Sequence, residues 1–322
     1  MKSILIIRFS SLGDILLTTP LLRVLRKKYP DAQADYVVKP EYASLISGSP
    51  YINRVIRFSK ETASDLKQQI AAAGYDMIID LQNNPRSRRL TSGLSAPVHR
   101  FKKHSLKKWL LVNFKLNRLD GLPPIPERYI FSVPGLEPDE QGLEFRFTPV
   151  DVPLERGKKY IAVAPGSRHF TKMWGENRFI ELNRALVRDG FTPVLLGGKD
   201  DFPLCCRIAN AVPESVNLSG DHPIEYAATA LTYCRAAVCN DSGLMHLSCS
   251  VQVPVLVFFG STVRHFGFIP YKNKSVIMEN NTLACRPCSH IGRASCPKGH
   301  FLCMTELKPS DALAHLKHLA EA

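Results

Sequence analysis

Two textures of apolar residues alternate along the chain. One is the short, largely apolar run bounded by turn residues, at 4–7, 34–38, 54–58, 77–80, 160–163, 192–196, 237–239 and 255–259. The other is the longer segment with apolar positions at helical spacing: Ile15, Leu16, Leu22 and Leu25 after the first run, then 62–73 closed by Gly74, 177–189 closed by Gly190, and a last helix after Pro309 with Ser310 as N-cap. Continuously apolar strands that alternate with amphipathic helices predict parallel sheets with both faces covered, an α/β class. The grammar runs once through the first half, breaks, and restarts at Tyr160. The break is rich in proline, with Pro123, Pro124, Pro126, Pro134, Pro138, Pro149 and Pro153, and reads as the end of a domain and a linker over 120–157. The expected organisation is a Rossmann-like domain over 1–150, a second over 151–308 and a terminal helix over 309–322, with a cleft between the carboxyl-end loops of the two doubly wound halves.

With 322 residues, 45% of them hydrophobic, the chain has ample material for two cores. Net charge is +13, which points to a phosphate-rich partner. The excess is concentrated. Residues 81–119 contain no acid but hold Arg86, Arg88, Arg89, Arg100, Lys102, Lys103, Lys107, Lys108, Lys115 and Arg118, interleaved with Trp109, Leu110, Leu111 and Phe114. Such a stretch suits an anionic acceptor or membrane surface; a solvated basic face is the plainer reading. Four apolar residues before Arg8 are too few for a secretory signal, and no run approaches a membrane span. A reducing cytoplasm is therefore expected for the nine cysteines.

Three loops carry candidate chemistry. The first strand turns through Ser10, Ser11, Gly13 and Asp14 into a helix, which offers hydroxyls, a carboxylate and free N–H groups where open α/β sheets bind ligands. Ser11 and Asp14 also have the spacing of an imperfect capping box. Gly166 and Ser167 follow a strand with Lys172 just beyond, a seat for an anion. Asp241, Ser242, Gly243, Leu244 and His246 enter another helix, whose N-terminus binds anions; the plainer readings are an N-cap for Ser242 and a satisfied buried ring for His246. Two such seats suggest a diphosphate. Cys285, Cys288, Cys296 and Cys303 follow C-x2-C-x7-C-x6-C, a spacing compatible with a structural zinc; free thiols are the other reading.

Together, RFSSLGDILLTTP, APGSRHFTKMW and NDSGLMHL, in this order over the whole chain, resemble glycosyltransferase family 9, the ADP-heptose:lipopolysaccharide heptosyltransferases. The resemblance implies a GT-B architecture, with the acceptor on the first domain and the nucleotide sugar on the second. It implies an inverting transfer without a required cofactor, from an ADP-sugar to a lipopolysaccharide precursor, at the cytoplasmic face of the inner membrane. On that basis Asp14 is the expected base. Gly166, Ser167, Lys172, Asp241, Ser242, Gly243, Leu244 and His246 are the expected donor contacts. Ser10, Ser11, Gly13, Arg86, Arg88, Lys102 and Lys103 are the expected acceptor contacts. Gly166 and Ser242 depart from members with threonine there. The alternatives are a GT-B enzyme for another nucleotide sugar and a basic nucleic-acid-binding protein; no nucleic-acid partner is expected on the main reading.

Overall fold

The computed structural model describes residues 1–321. These form two compact units, the first made of residues 1–103 and 123–147 and the second of 104–122 and 148–321. The division differs from a single boundary at 150: a 19-residue excursion from the first half belongs to the second unit.

The first unit is a five-stranded parallel sheet of β1 (Ser3–Ile7), β2 (Gln33–Val38), β3 (Arg54–Arg57), β4 (Met77–Asp80) and β5 (Val98–Arg100), in the order β3-β2-β1-β4-β5. Ile4 to Ile7 are buried completely, as a strand covered on both faces must be. The helix expected after β1 is broken into α1 (Leu12–Leu16) and α2 (Thr19–Lys28), with α2 restarting on Pro20 in its first turn. Next come α3 (Ser44–Ser47), α4 (Ala63–Ala73), whose expected C-cap Gly74 is left-handed at φ 59°, and α5 (Pro85–Leu90).

The chain then leaves for the second unit as α6 (Ser105–Phe114) and returns as α7 (Ile125–Ile130). The prolines read as breakers here start an element: Pro126 lies in the first turn of α7, where its missing N–H costs nothing. Segment 139–144 is likewise no linker. Asp139 and Glu144 both take the buried Arg23 guanidinium of α2, at 2.6 Å each.

The second unit is six parallel strands, β6 (Tyr160–Ala164), β7 (Thr192–Leu195), β8 (Val216–Asn217), β9 (Cys234–Asn240), β10 (Val255–Phe259) and β11 (Ser275–Glu279), ordered β11-β10-β9-β6-β7-β8. Its helices are α8 (Glu176–Arg188), α9 (Phe202–Ala211), α10 (Ile224–Leu231), α11 (Gly243–Ser250), α12 (Leu302–Thr305) and α13 (Pro309–Glu321). The core stacks Trp174 on Phe258 at 4.1 Å between ring centroids. Helix α13, expected as a separate piece, buries Ala312, Leu316 and Leu319 in this core and starts at Pro309, so Ser310 is inside it rather than its cap.

Strand order reverses between β1 and β4 in one sheet and between β6 and β9 in the other. Ligands of open α/β sheets bind at the carboxyl ends of such strand pairs. The Asp14 turn follows β1, and the loops with Lys172 and Asp241 follow β6 and β9.

Candidate active site

In the first unit, Asp14 sits in the opening turn of α1 with its carboxylate held at both oxygens. Arg8 Nη2 lies 2.7 Å from Oδ1, while the Ser11 N–H and hydroxyl donate to Oδ2 at 3.2 and 2.9 Å. Arg8 is itself fixed, donating from Nη1 to Leu81 O at 2.8 Å and from Nε to Ser10 O at 2.9 Å. It thus ties the end of β1 to the end of β4, across the switch point. Burial alone pushes the Asp14 carboxyl up, but Arg8 and the two Ser11 donors outweigh it and hold it below the usual carboxylate range. The capping geometry expected for Ser11 and Asp14 is present on the Asp14 side, and the carboxylate does more than cap. Arg8 was quoted in the motif without a role, because its pairing arises only when the turn folds back.

Lys103 belongs to the same surroundings: burial lowers its pKa, and nearby Arg8 lowers it further. Asp80 is fully buried at the end of β4, accepting from Asn83 N at 2.7 Å and Ser87 Oγ at 2.9 Å; burial pushes its carboxyl up. Arg88 donates to Asn83 Oδ1 at 2.9 Å. Arg86 lies apart, in a hollow of about 480 Å³ with Phe58, Lys60, Lys67 and Arg89. The basic stretch is therefore no single face: Arg86 and Arg88 ride on α5 of the first unit, Lys107 and Lys108 on α6 of the second.

In the second unit, Lys172 Nζ lies 2.8 Å from Asp241 Oδ2, and the Thr262 hydroxyl donates to the same oxygen at 2.7 Å. Both partners of the ion pair are largely buried, at 15% and 10% side-chain exposure, so Lys172 is not the exposed lysine its loop position suggests. Asn240 joins the two loops. Its Oδ1 accepts from Trp174 N at 3.0 Å, and its Nδ2 donates to Pro165 O at 2.8 Å and Gly166 O at 3.2 Å. Ser242 occupies the N-cap position of α11, yet its buried Oγ makes no cap bond and has no hydrogen-bond partner. The capping reading therefore does not account for Ser242. Gly243 and Leu244 form the first turn, and His246 is buried and engaged within the fold. Ser167 is half-buried on the loop after β6.

The glycine at 166 has a local cause. A Cβ there would fall 1.9 Å from Asp201 Oδ1. Asp201 accepts from Gly198 N at 3.1 Å, and burial pushes its carboxyl up. Thirty-five residues separate the two, so composition and spacing gave no hint of this contact.

The cysteine segment does not assemble as expected for zinc. Among the described residues no group of three or more His, Cys, Asp or Glu side chains is placed to hold a metal. Cys303 points into the core beside Leu256 and Phe258, where burial pushes its thiol up to about 11 and keeps it protonated. Cys285 Sγ instead lies 3.8 Å from His300 Nε2. The segment's organising residue is Arg286. Its guanidinium donates to Gly260 O at 2.6 Å, Thr262 O at 2.9 Å, Phe259 O at 3.1 Å and Glu279 Oε2 at 2.9 Å. Arg293 N donates to Thr171 Oγ1 at 2.8 Å, and Cys288 N to Ser261 O at 3.2 Å. This strap braces the loops that bear Lys172 and Thr262.

Two parallel Rossmann-like sheets, each with polar loops at its switch point, give the chain the GT-B architecture. The profile described as "Glycosyltransferase family 9 (heptosyltransferase)" matches residues 63–297, and the chain belongs to that family. It is 25% identical to lipooligosaccharide heptosyltransferase 2 of Haemophilus influenzae, over 98% of this chain and 99% of the relative. Its fold is similar to that of the family 9 glycosyl transferase of Veillonella parvula (TM-score 0.80, 22% identity, 99% of this chain and 97% of the other). It is also similar to the ADP-heptose lps heptosyltransferase II of E. coli (TM-score 0.75, 23% identity, 99% and 98%). Family membership displaces the nucleic-acid-binding alternative.

Proposed function

We propose that this chain transfers heptose from ADP-heptose to a phosphorylated lipopolysaccharide inner-core precursor, with inversion at the anomeric carbon. The observation that carries the donor half is the orphan Ser242 hydroxyl at the N-terminus of α11, next in the chain to Asp241, which Lys172 and Thr262 hold. A buried hydroxyl without a partner costs free energy unless a ligand supplies one. Helix N–H groups, a lysine and a free hydroxyl together suit a diphosphate.

In the proposed reaction the acceptor O–H gives its proton to Asp14 as its oxygen bonds the heptose C1. The C1–O bond to the diphosphate breaks, and ADP leaves with the electron pair. A carboxylate has about four lone-pair sites. Three donors already occupy Asp14, and the remaining site on Oδ1 takes the proton. Because Arg8 and Ser11 lower its basicity, Asp14 acts late, as attack acidifies the hydroxyl. Lys172, Ser242 and the α11 N-terminus stabilise the departing diphosphate, aided by Gly166, Ser167 and Asp241. Ser10, Ser11, Gly13 and Lys103 line the acceptor side, while Arg88 and Lys102 meet its phosphates.

On this reading the first unit is the acceptor domain, the second is the donor domain, and the enzyme works in the cytoplasm in peripheral contact with the membrane bearing its acceptor. A thermal-shift panel of nucleoside diphosphates and nucleotide sugars tests the donor, since stabilisation follows RT ln(1 + [L]/Kd). ADP and ADP-heptose are expected to stand out, and ADP-heptose with a lipid-borne acceptor to give product. Preference for a uridine or guanosine nucleotide overturns the donor assignment.

A further inference from the structure

Helix α6 packs one face against the second unit and leaves apolar side chains exposed on the other. Inside, Leu111 packs with Leu119, Val263 and Phe266. Lys108 Nζ sits 5.7 Å from the Phe268 ring centre, and Lys115 Nζ donates to Pro287 O at 2.7 Å. Outside, Leu106, Trp109, Phe114 and, just past the helix end, Leu116 are 68%, 52%, 59% and 51% exposed. Single exposed apolar residues need no explanation, but these are four of the ten large ones among the described residues and fall within eleven positions. The Trp109 and Phe114 rings meet edge to face at 5.2 Å, so the patch is ordered rather than a scatter of tips.

We propose that this outer face inserts into the surface of an anionic bilayer and anchors the second unit there. The inference deepens the membrane contact proposed above. It draws on that reading only for the identity of the acceptor. Charge selects the occupant. Lys107 and Arg118 flank the apolar patch, and no acid lies between residues 81 and 119. A second copy docked about a two-fold axis would set these cations against each other, whereas anionic headgroups neutralise them. The patch has the composition of an interfacial helix: leucines and aromatics toward the acyl boundary, lysine and arginine toward the phosphates, tryptophan at the border. Because the inner face is already packed and tied at Lys108 and Lys115, insertion needs no unfolding of α6. Although α6 arises in the chain between two segments of the first unit, it packs on Val263 and Phe266, which follow Thr262, the donor to Asp241. The anchor therefore lies on the unit that carries the proposed donor site.

The chain carries its own reporter. Of its two tryptophans, Trp174 is fully buried with Nε1 donating to Leu307 O at 2.9 Å, so a change in emission on adding lipid reports Trp109. The whole chain, without substrate, is titrated with phosphatidylcholine vesicles with and without phosphatidylglycerol. The expected result is a blue shift and co-sedimentation with the anionic vesicles, both reduced by salt. The triple variant Leu106→Ser, Phe114→Ser, Leu116→Ser should bind about tenfold more weakly or worse, with its melting temperature retained. The charge variant Lys107→Glu, Arg118→Glu should also weaken binding. Absence of a Trp109 shift in the unsubstituted chain overturns the proposal, whatever the variants do. So does vesicle binding undiminished in the triple variant, which would make the contact purely electrostatic. So does a concentration-dependent dimer that forms without vesicle binding and is lost in the triple variant. None of these readouts depends on heptosyl transfer, so failure of the enzymatic reading would leave the anchor standing or falling separately.

Discussion

Each unit places a cation–carboxylate pair at its switch point, and the two pairs are built in opposite senses. In the first, the cation is the fixture: two main-chain carbonyls hold Arg8, and Arg8 in turn holds the carboxylate of Asp14. In the second, the carboxylate is the fixture: the Thr262 hydroxyl holds Asp241, which holds the ammonium of Lys172. On the proposed reading, the same two charges present a base in one place and a cation in the other. What distinguishes them is how they are held: main-chain carbonyls fix Arg8 while Ser11 also donates to Asp14, whereas a threonine hydroxyl fixes Asp241, a property that residue identity alone does not carry.

The sharpest way to break the comparison is Asp14→Asn. Turnover should fall about 10²–10⁴-fold, as expected for loss of a general base. The melting temperature should fall as well. The substitution leaves the buried Arg8 charge without its carboxylate, at a cost of about 1–3 kcal/mol that solvent at the partly exposed Asp14 moderates. A cap alone would cost up to roughly 1 kcal/mol and leave the rate intact. Near-normal turnover in this variant sinks the catalytic assignment.

Lys172→Ala tests the second pair. ADP affinity by calorimetry should weaken by about 1.5–3 kcal/mol, roughly 10- to 150-fold, as for loss of a charge-assisted hydrogen bond. Stability should fall as well, because Asp241 is left nearly buried with its cation gone. Unchanged affinity would remove Lys172 from the donor site.

The opposite fixtures also predict different pH behaviour. Asp14 titrates below its usual value of 3.8, so its share of stability is full above that value and is lost as pH falls through the folded value. Arg8→Gln removes the main force opposing burial. The acid limb of the kcat profile should then move to higher pH, while Lys172→Ala leaves it in place. An acid limb that stays put in Arg8→Gln would show that Arg8 does not set the state of Asp14.

The smallest effect concerns Gly166. Gly166→Ala drives a methyl into Asp201 and should cost about 1–3 kcal/mol, with part restored by Asp201→Ala in a double-mutant cycle. Additive losses would mean that the glycine serves the ligand rather than Asp201.

The buried strands were readable because complete burial writes an uninterrupted apolar run, as in β1, β6 and β10. Strands β5, β8 and β11 escaped for the complementary reason: they are edge or near-edge strands, two or three residues long or only half buried. Asp14, Lys172 and Asp241 were singled out through motif order. Their partners Arg8, Thr262, Asn240 and Arg286 were not assigned roles, since each acts through main-chain atoms or across long separations. Of the two readings left open for the cysteines, the free-thiol one fits the placement of Cys303, which turns into the core.

The excursion of residues 104–122 has a consequence for anyone wishing to cut this enzyme in two. The backbone changes unit three times, so no single scission yields both pieces intact. A fragment starting at Thr148 keeps all six strands of its sheet but forfeits the leucines that cover Val263 and Phe266, baring an oily seam one residue beyond Thr262. A faithful excision would graft 104–122 back through an artificial tether. A loop-out of the same residues from the other piece would let 103 meet 123.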